Sequence, residues 1–240
     1  MIPLRDSVPS EKYPVMTLAI IVVNSLVWFY EVSLGARADR FIFEYGLIPL
    51  RFVAFNRFEG GFLDNALIPV FSSIFMHGGW LHVIGNMWFL WIFGDNVEDR
   101  LGHFKYLIFY ILCGIGASLL HIIAEPASKV PMVGASGAIS GILGAYLVSY
   151  PHARVHTLLI LFVFIQFVEI PAFLFLILWF VFQFMSGATQ AAVQHDAGGV
   201  AYWAHVGGFV VGIVLFMIFP KKPARQSFLG ADYPSYRRRW

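Results

Sequence analysis

The chain has very little charge for its length. Charged residues make up 12% of its 240 residues, hydrophobic residues make up 59%, and the mean hydropathy is +0.73. A soluble domain is closer to about half apolar and about a quarter charged. The scarcity of charge excludes an ordinary soluble domain. It predicts a polytopic membrane protein with little chain left over for a soluble part.

Cysteine, basic patches and targeting signals are also scarce. Cys113 is the single cysteine, so an intramolecular disulfide is excluded, and a small buried hydrophobe is its expected role. The net charge is +2 and the basic residues are scattered or C-terminal, so no nucleic-acid partner is predicted. Residues 1–14 lack the order of a signal peptide and of a mitochondrial targeting segment. This pattern favours a prokaryotic plasma membrane.

The sequence instead contains long apolar runs. A helix needs about 20 apolar residues to cross a hydrocarbon core of about 30 Å. Six runs are identified: 15–32, 80–93, 106–124, 136–150, a fifth that starts near Pro171, and 200–219. The residues before Glu169 are interpreted as an interfacial piece, and 187–199 as a loop. We therefore predict an all-α bundle of six transmembrane helices over 15–219, a short cytoplasmic tail at 1–14, and a basic cytoplasmic tail at 220–240.

The basic residues predict the orientation of these spans. With six spans both tails lie on one side, which carries eleven Lys and Arg residues against five on the other. Four of those five lie in the long first loop, a mixture of Arg, Phe and Leu that predicts a folded segment at the membrane surface. The positive-inside rule makes the richer side cytoplasmic. The second, fourth and sixth spans then run from outside to inside, which places residues 80–86, Ser136 and His205 near their outer ends.

The fourth run is too short to cross the membrane alone. Its residues, 136–150, reach only about 22 Å as a helix. Its N-terminus must then start below the surface, with the loop 131–135 at membrane depth. Irregular backbone is tolerated there only where it is buried in protein or lines a wet cavity. The short run therefore favours a functional site around Ser136.

Small residues recur at helical spacing in the fourth and sixth spans: Gly137, Gly141 and Gly144 in the first, and Gly208 and Gly212 in the second. Small faces of this kind let two helix backbones approach closely in a membrane. His205 precedes Gly208 by one turn, and Ser136 directly precedes Gly137. Packing of the two faces would place Ser136 beside His205.

A serine beside a histidine suggests nucleophilic catalysis. The hydroxyl is a weak nucleophile until a base takes its proton, and histidine is the usual base. Attack on an amide also needs hydrogen-bond donors for the developing oxyanion. The candidates are backbone N–H groups at the start of the fourth helix, including that of Ser136, and the side chains of His82 and Asn86, which share one helix face. Because no carboxylate is placed to orient His205, we predict a Ser–His dyad.

Less specific interpretations of the same residues remain open. Ser136 could be a packing residue and Asn86 a hydrogen-bond link between helices, whereas a histidine inside a membrane is functional by default. His77 is interpreted as structural, at the loop that leads into the second span. The spacing of His77 and His82 suits a metal poorly and HExxH is absent, so neither a metal nor a cofactor is predicted.

Four motifs together resemble the rhomboid family of intramembrane serine proteases. They are HGGWLHVIGN, which ends at Asn86, then FGDNVEDRLG, then GASG around Ser136, and AHVGG around His205. Each motif alone is common, but all four in this order, within a six-helix layout over residues 14–219, are specific. The fold that the resemblance implies is the predicted six-helix bundle, with the long first loop packed sideways against the helices.

The resemblance also implies an activity and the residues that carry it. Ser136 is the nucleophile, His205 is the general base and acid, and Gly134 belongs to the GxSG turn. His82 and Asn86 form the oxyanion hole together with backbone N–H groups, including that of Ser136. The substrates are membrane-anchored proteins, cut within the lipid bilayer in or near a transmembrane segment, and no cofactor is needed. The resemblance names no particular substrate and no oligomeric state.

One departure and one alternative accompany this resemblance. Some members of the family place a tyrosine four residues after the nucleophile, against the histidine, where this chain has Ser140. An aromatic such as Tyr202 or Trp203 is then a candidate to orient His205.

The resemblance implies that the fifth helix and residues 187–199 gate substrate entry. The alternative function is a non-catalytic rhomboid-like chaperone or extraction factor for membrane helices; a transporter would predict internal repeats, which the sequence lacks.

Overall fold

The computed structural model describes residues 1–161, 164–193, 200–219 and 221–223. Helices dominate the described residues, joined by short 3-10 and π turns and by one small sheet. In chain order the helices and strands are β1 (Ile2–Asp6), α1 (Val15–Ser33), α2 (Ala38–Tyr45), α3 (Pro49–Val53), α4 (Ile68–Ser72), α5 (Trp80–Leu101), α6 (His103–Ala124), α7 (Ser136–Ser149), β2 (Arg154–Leu161), β3 (Phe164–Pro171), α8 (Ala172–Val193) and α9 (Tyr202–Ile218).

The apolar helices form a bundle suited to a membrane. Among the described residues α1, α6 and α8 are each long and apolar enough to cross it. Helix α5 meets the same criterion together with the segment Leu63–Phe75, from which it is bent by 75°, and α7 and α9 are shorter apolar helices. The predicted helical membrane bundle is confirmed. The count of six spans stays a prediction.

The charged stretch after the second apolar run is helical, because α5 continues to Leu101. Glu98 lies in this stretch and its buried carboxylate accepts hydrogen bonds from the start of α1. The donors are the backbone N–H of Met16 at 2.9 Å, the backbone N–H of Thr17 at 2.8 Å and the Thr17 hydroxyl at 2.7 Å. Gly102, with a φ of +79°, then ends α5. The Glu98 carboxylate therefore lies inside the bundle, where it joins α5 to α1.

A three-stranded antiparallel sheet, in the order β1–β2–β3, replaces two predicted features. The predicted N-terminal tail contains β1, whose Asp6 pairs with Val155 in β2. The predicted interfacial piece is a hairpin, in which Arg154 of β2 pairs with Pro171 of β3. Burial alternates at the start of β2, since Val155 is buried and Arg154 is exposed. Part of the residues 187–199, predicted as a loop, is likewise helical, because α8 continues to Val193.

The described connections lie at two opposite ends of the bundle. At one end β1 pairs with the hairpin between α7 and α8, and Arg100 at the end of α5 exchanges backbone and side-chain hydrogen bonds with Lys222. At the other end Leu47 and Met132 exchange backbone hydrogen bonds of 3.1 and 2.7 Å, which joins the first loop to the third. Which end faces the cytoplasm stays a prediction.

Helices α7 and α9 touch through their backbones. A Cβ atom added at Gly208 would overlap the carbonyl oxygen of Gly137, and one added at Gly212 would overlap that of Gly141. These are backbone atoms, which cannot move aside as the end of a side chain can. The glycine faces identified from their spacing therefore lie against each other. The contact brings the first turn of α7 next to the first turn of α9.

Gly208→Leu should force α7 and α9 apart. Overpacking typically costs about 1–3 kcal/mol, and here the obstacle is backbone, so we expect a lower midpoint of thermal unfolding in detergent. Gly85→Leu on α5 is the matched control, because nothing lies within 4 Å of a Cβ at that position. An unchanged midpoint for the Gly208 variant would contradict this packing.

Candidate active site

Ser136 and His205 form a hydrogen-bonded pair. Ser136 is the first residue of α7 and His205 lies in the first turn of α9. The Ser136 Oγ atom lies 2.8 Å from His205 Nε2. Both residues are half-buried, so the pair is shielded by the bundle without being closed off. The sequence separates the two residues widely, and the glycine contact between α7 and α9 brings them together.

Gly134 shapes the turn that precedes Ser136. Its φ of +131° is a conformation that side-chain-bearing residues rarely adopt, and its N–H donates to the Ser73 carbonyl at 2.8 Å. A Cβ atom at this position would lie 2.7 Å from His82 Nε2 and 3.4 Å from Ser136 Oγ. The glycine therefore leaves open a gap between His82 and the hydroxyl of Ser136.

The second ring nitrogen of His205 binds a residue that the sequence analysis did not identify. His205 Nδ1 lies 2.8 Å from Gln183 Oε1, on α8. Because an amide oxygen only accepts hydrogen bonds, Nδ1 carries the ring proton and Nε2 is free to accept the proton of Ser136. This is the tautomer that a general base requires. The signal in the sequence was an amide, Gln183, within the otherwise apolar first part of α8.

Aromatic rings also surround His205. Trp179 of α8 lies 6.1 Å from the imidazole, centroid to centroid, at an angle of 30°, and Tyr202 lies 6.5 Å away, edge-on at 86°. Of the two aromatics suggested by the sequence, Tyr202 therefore does approach the ring. Ser140 donates its hydroxyl proton to the Ser136 carbonyl at 2.6 Å, within α7.

His82 carries the opposite tautomer. The backbone N–H of Gly78 points to His82 Nδ1 at 3.4 Å, so Nδ1 is the acceptor and the proton lies on Nε2. That nitrogen faces the gap beside Gly134. Asn86 lies one turn further along α5, is 8% exposed, and its Nδ2 has no hydrogen-bond partner among the described residues. Buried donors are normally paired. The two side chains therefore offer donors for an acceptor.

The loop before α5 is anchored to α1. His77 is fully buried, and its backbone N–H donates to the carboxylate of Glu31 at 3.2 Å. Glu31 itself is 1% exposed, near the end of α1. This contact fits the interpretation of His77 as structural. It fixes the loop that enters the helix carrying His82 and Asn86.

Comparison with known proteins identifies the family of the chain. A model of the rhomboid domain matches residues 64–222. Rhomboid-like protein 11, chloroplastic, of Arabidopsis thaliana is 28% identical over 84% of this chain and 67% of its own length. Rhomboid protein 1, mitochondrial, of Saccharomyces cerevisiae is 30% identical over 66% and 44%. The human presenilin-associated rhomboid-like protein, mitochondrial, is 29% identical over 60% and 36%.

The chain belongs to the rhomboid family, because the family model covers well over half of it. Membership supports an intramembrane protease-type function, and the apolar helices support an integral membrane protein. The chain spans less than half the length of the two mitochondrial relatives. All three relatives are named for chloroplasts or mitochondria, so they do not support the predicted prokaryotic plasma membrane.

Gly134→Ala should destabilise the protein. The methyl group would meet His82 Nε2, and the backbone would keep a strained φ, which costs about 1–3 kcal/mol. We expect a lower thermal midpoint in detergent. Gly79→Ala is the control, because its φ of 166° is extended and a Cβ there meets nothing within 4 Å. Equal midpoints for the two variants would refute the assigned role of Gly134.

Proposed function

We propose that this protein is an intramembrane serine endopeptidase that cleaves membrane-anchored proteins in or near a transmembrane helix. Ser136 is the nucleophile and His205 is the general base and acid. The observation that carries the proposal is the 2.8 Å contact between Ser136 Oγ and His205 Nε2, with the second ring nitrogen held by an acceptor. Membership of the rhomboid family supports the same class of activity.

Catalysis would proceed by acyl transfer. His205 Nε2 takes the hydroxyl proton as Ser136 Oγ attacks the scissile carbonyl carbon. The oxyanion that forms accepts hydrogen bonds from His82 Nε2, Asn86 Nδ2 and the Ser136 backbone N–H. Collapse of the intermediate breaks the C–N bond, and the proton on His205 passes to the leaving amine. Water, deprotonated by His205, then releases the acyl group and restores Ser136.

The position of the site supports the proposed substrate class. Ser136 is the first residue of a short helix within a bundle of apolar helices, and many large hydrophobic side chains are exposed on the surface of that bundle. A substrate that enters from the bilayer is a membrane-anchored protein. Because a helix hides its amide bonds in internal hydrogen bonds, the segment to be cut must unwind locally before the hydroxyl can attack. The chemistry uses side chains and water, and we propose no cofactor.

A mechanism-based probe tests the nucleophile. We expect a fluorophosphonate to label Ser136 in the folded protein in detergent, as shown by mass mapping of the modified peptide. Labelling should disappear in Ser136→Ala and His205→Ala. Ser149→Ala at the far end of α7 is the matched control, since its hydroxyl donates to the Ala145 carbonyl within the same helix. A folded wild-type protein that resists the probe would favour the alternative of a non-catalytic helix-binding protein.

Asn86→Ala tests the oxyanion hole. Loss of one donor typically lowers kcat by about 10²–10³-fold, and we expect KM for a model transmembrane substrate to change little, because the contact forms only in the transition state. Rates would be compared in liposomes with those of Ile84→Ala, an exposed position on the same helix. An unchanged kcat in Asn86→Ala would remove Asn86 from the oxyanion hole.

A further inference from the structure

Gln183 is a buried amide in an apolar helix. Its side chain is 7% exposed, and its Oε1 atom lies 2.8 Å from His205 Nδ1. Trp179, one turn earlier on α8, lies beside the same imidazole. A buried polar group in such a helix is costly unless it is hydrogen-bonded, and polar residues at these positions are commonly functional. We therefore expect this amide to have a role beyond packing.

We propose that Gln183 is the positioning residue of the catalytic base. Its carbonyl oxygen accepts the Nδ1 proton of His205, which fixes both the tautomer and the orientation of the ring. The role corresponds to that of the carboxylate in a Ser–His–Asp triad, or of the amide in the Cys–His–Asn arrangement. The inference rests on the proposed function and turns the predicted dyad into a Ser–His–Gln arrangement.

The hydrogen bond matters at both stages of the proton transfer. In the resting state a proton on Nε2 would face Ser136 and prevent the ring from acting as a base. The bond to Gln183 disfavours that tautomer because its oxygen has no proton to donate. When Nε2 takes the serine proton the ring becomes cationic, and the Nδ1 proton stays in place. The bond to the amide oxygen then becomes charge-assisted and stronger.

A neutral amide suits this environment better than a carboxylate. A buried carboxylate without a permanent positive partner carries a large desolvation cost, and the resting His205 is neutral in the assigned tautomer. Among the described residues, the hydrogen-bond partners of the ring are Gln183 and Ser136. Two other titratable groups, His82 on α5 and His121 on α6, act on His205 electrostatically, and both are imidazoles rather than carboxylates. Gln183 is therefore the hydrogen-bond acceptor available to Nδ1 among the described residues.

The bond also connects two helices. Gln183 lies on α8, whereas His205 lies on α9 and Ser136 on α7. The tautomer of the base is therefore correct only while α8 lies against α9. A displacement of α8 that separates these atoms would leave Nδ1 without its acceptor and would lower the activity of Ser136.

The test compares Gln183→Met with Gln183→Glu. Methionine keeps the length and apolar packing but loses the acceptor, while glutamate keeps an acceptor oxygen and packs less well. We expect Gln183→Met to lower kinact for a fluorophosphonate at Ser136 about tenfold or more, the value of a hydrogen bond to a developing charge. The probe's KI and the thermal midpoint should stay unchanged. Gln183→Glu should retain more of kinact than Gln183→Met. Gln166→Met, at an exposed glutamine, is the control.

The outcomes separate this inference from the proposed function. A labelled wild type together with a Gln183→Met variant that reacts at the control rate would overturn the positioning role alone. A folded Gln183→Met variant that reacts faster than a folded Gln183→Glu variant would indicate packing and also overturn it. If Gln183→Glu does not fold, the kinact ratio of Gln183→Met to Gln166→Met decides. A wild type that is not labelled at all would refute the proposed function as well.

Discussion

The backbone contact between α7 and α9 is the constraint on which the candidate site depends. Lipid tails are as apolar as leucine, so helices in a bilayer associate through close packing and polar contacts rather than through burial from water. Gly208 and Gly212 meet the carbonyl groups of Gly137 and Gly141, and no larger residue would allow this approach. The same contact fixes the first turns of both helices, and a hydrogen bond of 2.8 Å follows from it.

Two histidines in one site have opposite tautomers, and each tautomer has a local cause. His82 Nδ1 faces the backbone N–H of Gly78, so its Nε2 is a donor. His205 Nδ1 faces the oxygen of Gln183, so its Nε2 is an acceptor. In the proposed reaction one ring has to give a hydrogen bond to the oxyanion while the other takes a proton from the serine. The two residues are both histidines, and they have different roles because their Nδ1 atoms have different hydrogen-bond partners.

Part of this arrangement can be predicted from the sequence, because it depends on local features of the chain. The glycine faces and the shared face of His82 and Asn86 follow from helical periodicity, and the short fourth run follows from its length. The hairpin was missed because a mostly apolar run has no clear period that separates a strand from a helix. The pairing of Asp6 with Val155 is a contact between distant segments, which no local pattern predicts. Gln183 was visible as an unusual residue, but its partner depends on how α8 is rotated and placed.

Charged residues are scarce in this chain, and two of the buried ones, Glu31 and Glu98, connect α1 to α5. Thr17, near the start of α1, donates backbone and hydroxyl hydrogen bonds to Glu98, near the end of α5. Glu31, near the end of α1, accepts the backbone N–H of His77, which lies just before the start of α5. Helix α5 is thus held at both ends by α1. The Glu98 carboxylate accepts hydrogen bonds from Met16 and Thr17, and the Glu31 carboxylate accepts the backbone N–H of His77. Because α5 carries His82 and Asn86, the donors of the candidate oxyanion hole are positioned by these two remote carboxylates. The hydrogen bonds that they accept offset part of the cost of their burial, and the geometry of the site depends on them as it does on the glycines.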